Sequence, residues 1–238
     1  MNIYLSGQGA FAVAVAEALT EEHTIVGVAA PRQRRRLGSG HGAVDDSNPM
    51  TWDRLRSWAF PQGISWTSAP DLRAHHVPDN TDVILAAHSH AFIGRKTRAR
   101  ARMAAIGYHP SLLPLHRGRD AIRWTIRDGD RVTGGSVYHL TERTDGGPIA
   151  AQEHLLVPPG STADSLWREH LAPLGVRLVL RVVEDLARGI RIEVEQDESL
   201  ARWEPAMGVA PLFKPELIEL PVPGSAAVRG DRWALNGF

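Results

Sequence analysis

The chain of 238 residues contains no cysteine. Disulfides, thiolate metal sites and a cysteine nucleophile are therefore excluded. Lysine is almost missing as well: it occurs only at Lys96 and Lys214, and arginine carries the rest of the positive charge. There is no excess of either sign, since 27 basic residues face 27 acidic ones. A general nucleic-acid binder needs a surplus of positive charge against phosphate, so that class is disfavoured. No apolar run approaches the roughly 18 residues that span a bilayer. No basic segment or cleavage site precedes the first strand-like run, and a cytoplasmic protein is expected. Internal repeats and low-complexity segments are also lacking. What remains is an ordinary globular composition, 43% hydrophobic, long enough for one substantial core or one core with a small appendage.

The chain opens as strand, glycine turn and helix. Residues 2–5 are apolar, Ser6-Gly7-Gln8-Gly9-Ala10-Phe11-Ala12 is the turn, residues 13–19 read as a helix and residues 24–29 as a second strand. This is the βαβ opening of a doubly wound α/β domain with a mostly parallel sheet. A dinucleotide site would place a carboxylate at the end of the second strand, but that strand ends Val28-Ala29-Ala30-Pro31. The turn reads better as backbone amides facing a ligand group, such as an anion at the helix N-terminus. Residues 32–48 have no hydrophobic period and read as a loop carrying Arg34-Arg35-Arg36, either a solvated surface or a contact for a phosphate-bearing substrate.

Further along, residues 51–60 read as a helix, 63–67 as a short strand and 95–105 as a basic helix. The run 82–87 is nearly all apolar, which fits a parallel strand covered on both faces. It delivers His88-Ser89-His90 to a strand end, where open α/β sheets carry their ligand sites. The His-x-His spacing could suit a metal, but no third ligand is identifiable, and exposed or pocket-lining histidines with structural hydrogen bonds are the favoured reading. Residues 104–108 form a strand ending at His109. Strands follow at 134–140 and 149–157. A long helix is expected after Pro159-Gly160, capped by Ser161 with Asp164, kinked at Pro173 and ended by Gly189. Residues 190–194 read as a strand. Two regions result: a main domain over 1–195 and a C-terminal extension over 196–238, with a hairpin expected over 226–235.

The chemistry concentrates in residues 107–149. His109 sits at a strand end between Tyr108 and Pro110, and Asp145 precedes Gly146-Gly147 in a turn. Brought together across a sheet, the two make an acid/base pair in which the carboxylate orients the imidazole. Ser111 is a candidate nucleophile without the G-x-S-x-G elbow. On residues alone the reading is a group-transfer or hydrolytic enzyme, set against a purely structural His and a turn-capping Asp.

The run His109-Pro-Ser-Leu-Leu-Pro114, Arg117-Gly118, Gly134 and Asp145-Gly146-Gly147-Pro148-Ile149 closely resembles the folate-dependent formyltransferases. That group includes enzymes acting on glycinamide ribonucleotide, methionyl-tRNA and amino sugars, together with formyltetrahydrofolate deformylase. The resemblance spans about residues 1–195 and is sharp over 107–149. It implies a Rossmann-like domain that takes a formyl group from 10-formyltetrahydrofolate through a tetrahedral intermediate. His109 and Asp145 match the family's catalytic His and Asp. The pterin is expected against Ala91, Phe92 and Ile93, and against the loop of Thr141, Glu142 and Thr144. The acceptor is expected toward Gly9, Ala10, Phe11 and Arg117. The family's motif Asn, an expected oxyanion donor, falls on Gly107. Loss of one such donor typically costs about 2.7–4 kcal/mol. His88, Ser89 and His90 are the nearest candidate replacements, and Gly107 is expected to open space for a bulkier acceptor.

The resemblance implies a small-molecule amine acceptor: an amino sugar nucleotide, an amino acid derivative or a hydroxylamine. A tRNA acceptor is a minority reading, because the C-terminal tRNA domain of that relative is not expected here. A folate-binding pseudoenzyme is the alternative that Gly107 suggests, and an NAD(P) oxidoreductase is a weaker one. No metal or membrane role is expected, and homodimerisation is suggested only by the hairpin.

Overall fold

The computed structural model describes residues 1–32 and 49–207. Its first compact unit runs from Met1 to Glu204 and the second covers Pro205–Phe238. The arginines 34–36 and the hairpin expected over 226–235 lie outside the described residues.

Strand β1 (Asn2–Gly7) leads through the glycine turn to helix α1 (Gly9–Leu19), β2 (Thr24–Ala30), α2 (Arg54–Ala59) and β3 (Trp66–Ser68). β4 (Val83–Ala87), the short α3 (Arg95–Arg98) and β5 (Ala104–His109) follow. Then come β6 (Arg117–Gly118), α4 (Ala121–Asp128), β7 (Val132–His139) and β8 (Ile149–Leu156). One turn, α5 (Ala163–Ser165), runs through a π-helical stretch at Leu166–Leu171 into α6 (Ala172–Ala187), and β9 is Trp203–Glu204.

Seven strands form one sheet in the order β3-β2-β1-β4-β5-β7-β8. The first five are parallel, while β7 runs antiparallel to both β5 and β8. Ile3, Leu5, Val83, Leu85 and Ile106 are buried in the main core under α1 and α6, and Tyr4 and Ile84 face a second cluster on the other side. Coverage of both faces explains why β1 and β4 read as continuous apolar runs. The chain moves outward from β1 in both directions, so the crevice at the carboxyl ends of β1 and β4 is the topological switch point.

Several boundaries differ from the sequence expectation. The basic helix over 95–105 stops at Arg98, and the chain then runs as turns into β5. α2 starts only after Asp53, whose carboxylate accepts from Leu55 N at 2.9 Å and caps it. The long helix is capped by Thr162 with Ser165, not by Ser161 with Asp164. Pro173 lies in the first turn of α6, where its missing N–H costs nothing inside that helix. The turn before it is π-helical, so the distortion takes that form. Residues 190–194 do not form a strand; only Val194 bridges to Ile149. The first unit also extends past residue 195, because β9 pairs with β6.

Asp53 is 5% exposed and also accepts from Gly9 N, at 3.1 Å. Asp53→Ala removes a helix cap and a second N–H partner. It should lower stability by about 1–2 kcal/mol, read as a fall of several degrees in the melting midpoint by calorimetry.

Candidate active site

β5 ends at His109, and the ring of the preceding residue fixes that end. Tyr108 donates to Leu171 O at 2.6 Å, on the π-helical stretch. Its ring lies against Gly135 on β7 and Gly175 on α6, where a Cβ would stand 2.5 Å from Tyr108 at either position. These two glycines form the seat of the ring. The His109 Nε2–H donates to His116 O at 2.8 Å, which leaves Nδ1 facing Asp145 Oδ2 at 3.6 Å. The residue is 7% exposed.

Asp145 lies in the loop between β7 and β8 with φ of 51°. A non-glycine residue in this left-handed region is strained, and such strain persists only where neighbours hold it. Here they do. Gly118 N donates to Oδ2 at 2.8 Å and Tyr138 Oη donates to Oδ1 at 2.6 Å. Gln196 Nε2 donates to the backbone oxygens of Asp145, at 2.8 Å, and Gly147, at 2.7 Å. Gly147 cannot be larger, since a Cβ there would lie 1.8 Å from His139 O. The Tyr138 phenol is held well above its usual pKa, first by burial and then by the neighbouring Asp145 charge and hydrogen bond. It stays protonated and acts as a donor.

The Ser-Leu-Leu-Pro loop serves as a scaffold. Ser111 is fully buried and donates to Leu115 O at 2.6 Å. Ser136 on β7 donates to Ser111 O at 2.7 Å and accepts from Leu113 N at 3.1 Å. A nucleophilic Ser111 does not fit these partners. The loop instead presents the His116 carbonyl to His109. His116 itself donates from Nε2 to Asp130 at 2.7 Å. Among the described residues, His116, Asp128 and Glu204 bring ligand atoms within 4.8 Å of one another. Arg202 already lies between the two carboxylates, at 2.9 Å and 3.3 Å, and supplies the cation there.

Other candidates fall out as follows. Arg117 is 6% exposed, and all three of its guanidinium nitrogens are engaged by Gln196 or Glu198. Its guanidinium secures the segment after residue 195. The glycine turn already holds an anion, the Asp53 carboxylate on Gly9 N. Ala10 follows in the first turn of α1, and Phe11 packs its ring on Tyr108 at 5.4 Å and on Trp167 at 5.1 Å.

His88 has φ of 57° at the end of β4, and its ring lies 5.3 Å from His90 and 5.9 Å from Trp167. Desolvation among these neighbours lowers its pKa, which favours the neutral ring. His90 Nδ1 accepts from Arg119 at 2.9 Å. Ser89 Oγ shares a hydrogen bond with Ser6 Oγ at 2.8 Å. Ala91 and the 72%-exposed Phe92 line a cleft of about 240 Å³ with Gly7, Gln8, Pro31 and Pro70, whereas Ile93 is buried. In the opposite loop, Glu142 pairs with Arg98 at 2.7 Å and Thr141 Oγ1 accepts from Arg143 N at 3.2 Å. Thr144, exposed, directly precedes Asp145.

Gly107 does not open space. It lies directly opposite Tyr138 in the β5–β7 pairing. A Cβ there would stand 3.0 Å from Leu140 Cδ2, 3.3 Å from Tyr138 Cε1 and 3.5 Å from Ala86 Cβ. Neighbouring side chains have taken the volume. Sequence reading missed Tyr138 and Gln196 for one reason: each acts through a cross-strand or long-range contact that no local motif announces. The alternation along β7 was the available signal for Tyr138, since it shares a face with Ser136, opposite His109.

Residues 2–183 match the Formyl transferase family. This chain is a member of that family. The formyl transferase chain is 41% identical over 100 residues to mouse mitochondrial 10-formyltetrahydrofolate dehydrogenase, covering 42% of the chain and 11% of that protein. It is 29% identical over 207 residues to Thermotoga maritima methionyl-tRNA formyltransferase, covering 86% of the chain and 64% of the relative. It therefore spans less than two thirds of either protein. In fold, it matches an N-formyltransferase from Helicobacter canadensis, solved with folinic acid and dTDP-3-aminofucose. The TM-score is 0.63 at 15% identity, over 85% of this chain and 70% of that one. No helix among the described residues is long and apolar enough to cross a membrane.

Proposed function

We propose that this formyl transferase family member moves a formyl group from 10-formyltetrahydrofolate to the amine of a small-molecule acceptor. The observation that carries this reading is His109, at the end of β5, brought beside Asp145, in the loop between β7 and β8, inside the matched region. The donor fits the crevice on two counts: an exposed Phe92 beside a cleft offers a face for a planar ring, and the loop of Thr141, Glu142 and Thr144 lies before Asp145. Attack of the amine on the formyl carbon makes a tetrahedral centre. The amine must then lose a proton and the departing folate nitrogen must gain one. His109 has one nitrogen fixed as a donor to a carbonyl and the other turned to a carboxylate, so Nδ1 is the atom through which a proton can pass. Asp145 stabilises the charge that forms there.

The filled space at Gly107 favours a second reading, a protein that binds reduced folate without turnover. An NAD(P) enzyme fits less well, because Asp53 holds the Gly9 amide where a pyrophosphate would need it. Calorimetry with 5-formyltetrahydrofolate and with NADH separates the classes, and the expected result is folate binding without NADH binding. Turnover of 10-formyltetrahydrofolate with a panel of amines then separates the enzyme from the silent binder. NADH binding without folate binding rejects both folate readings.

A further inference from the structure

We propose that Tyr138 is the positioning residue of this site, reaching from β7 into the space over Gly107 and holding Asp145 beside His109. The inference rests on the His109–Asp145 reading above and goes beyond it. In a two-residue side-chain period, 107 and 109 share one face of β5, while 138 and 136 share the facing side of β7. Gly107 pairs with Tyr138 and His109 with Ser136. The phenol ring therefore lies over position 107, and its hydroxyl emerges toward the Asp145 loop. The ring and Gly107 are matched in volume, because any side chain on 107 would press on Tyr138 Cε1 and Leu140 Cδ2.

Two roles are open to a buried phenol here, and hydrogen counting decides between them. A phenol has one hydrogen. Tyr138 commits it to Asp145 Oδ1 at 2.6 Å, so it does not at the same time donate to an oxyanion on the substrate. Its work is on the carboxylate. Oδ2 is already fixed by Gly118 N, and Asp145 sits in a left-handed conformation. A single donor on one oxygen leaves the carboxylate free to rotate about its own bond. A second donor on the other oxygen fixes its plane, and with it the oxygen that faces His109. Burial and the Asp145 charge keep the phenol protonated, so the donor persists across the neutral range.

Tyr138→Phe keeps the ring over Gly107 and removes only the hydroxyl. The affinity for 5-formyltetrahydrofolate should stay within about twofold while turnover of 10-formyltetrahydrofolate falls about tenfold or more. In an Asp145→Asn background the same change should cost almost nothing further, since the charged carboxylate that the hydroxyl orients toward His109 is already gone. Turnover of Tyr138→Phe within twofold of the natural protein overturns the proposal. So does a loss that multiplies with that of Asp145→Asn. A second measurement does not need turnover. A phenolic proton bound to an ionised carboxylate exchanges slowly and resonates far downfield in proton NMR. The Tyr138 resonance should vanish in Tyr138→Phe and move upfield in Asp145→Asn. A resonance that Asp145→Asn leaves in place overturns the proposal even if no amine is formylated, an outcome that would separately reject the transfer reaction.

Discussion

Replacing His109 by Ala, or Asp145 by Asn, should lower formyl transfer by at least about 10²-fold, the usual weight of an acid/base group. The two losses have different origins. His109→Ala removes the ring whose two nitrogens link the His116 carbonyl with Asp145. Asp145→Asn keeps the shape and removes the charge. It also places an amide where both oxygens now accept, from Gly118 N and Tyr138 Oη, so one of the two donors meets an N–H. Steady-state turnover of 10-formyltetrahydrofolate with the best amine of a panel reads both variants, and folate binding by calorimetry controls for folding. Unchanged turnover in both variants rejects the assignment.

Gly107→Asn restores the family's carboxamide and should nevertheless give no gain in turnover. The new Cβ would meet Leu140 Cδ2 at 3.0 Å and Tyr138 Cε1 at 3.3 Å. Overpacking of this kind costs about 1–3 kcal/mol, and the Tyr138 ring cannot yield without disturbing its bond to Asp145. Denaturant unfolding should show the destabilisation, and turnover should fall with it. Gly107→Asn with higher turnover than the natural protein would mean that the glycine is a simple loss. A destabilised and slower protein means that the Tyr138 and Leu140 side chains occupy the volume a carboxamide at 107 would need.

These two cases show where the sequence was legible and where it was not. The alternation of apolar runs with glycine turns gave the doubly wound sheet, because both signals are local. His109 and Asp145 were legible because turn-forming residues flank them at strand ends. The space at Gly107 was not, because what fills it comes from a strand some thirty residues later. The partners of Arg117 were hidden for a related reason. Its guanidinium is spent on Gln196 and Glu198, about eighty residues downstream. The basic stretch over 95–105 failed as a helix because its alanines and arginines favour helix locally, while pairing with β4 draws residues from 104 onward into the sheet.

The pairing of β6 with β9 has a consequence for the order in which the molecule is completed during synthesis. Every strand of the seven-stranded sheet has left the ribosome by residue 156. The clasp on Asp145 has not: Gln196 and the strand that pins Arg117 and Gly118 emerge forty to fifty residues later. The scaffold is thus assembled before its reactive carboxylate is locked. A nascent chain halted between the end of α6 at Ala187 and Gln196 would already have the seat of Tyr108 that fixes the His109 end of β5, and would leave Asp145 with only part of its support.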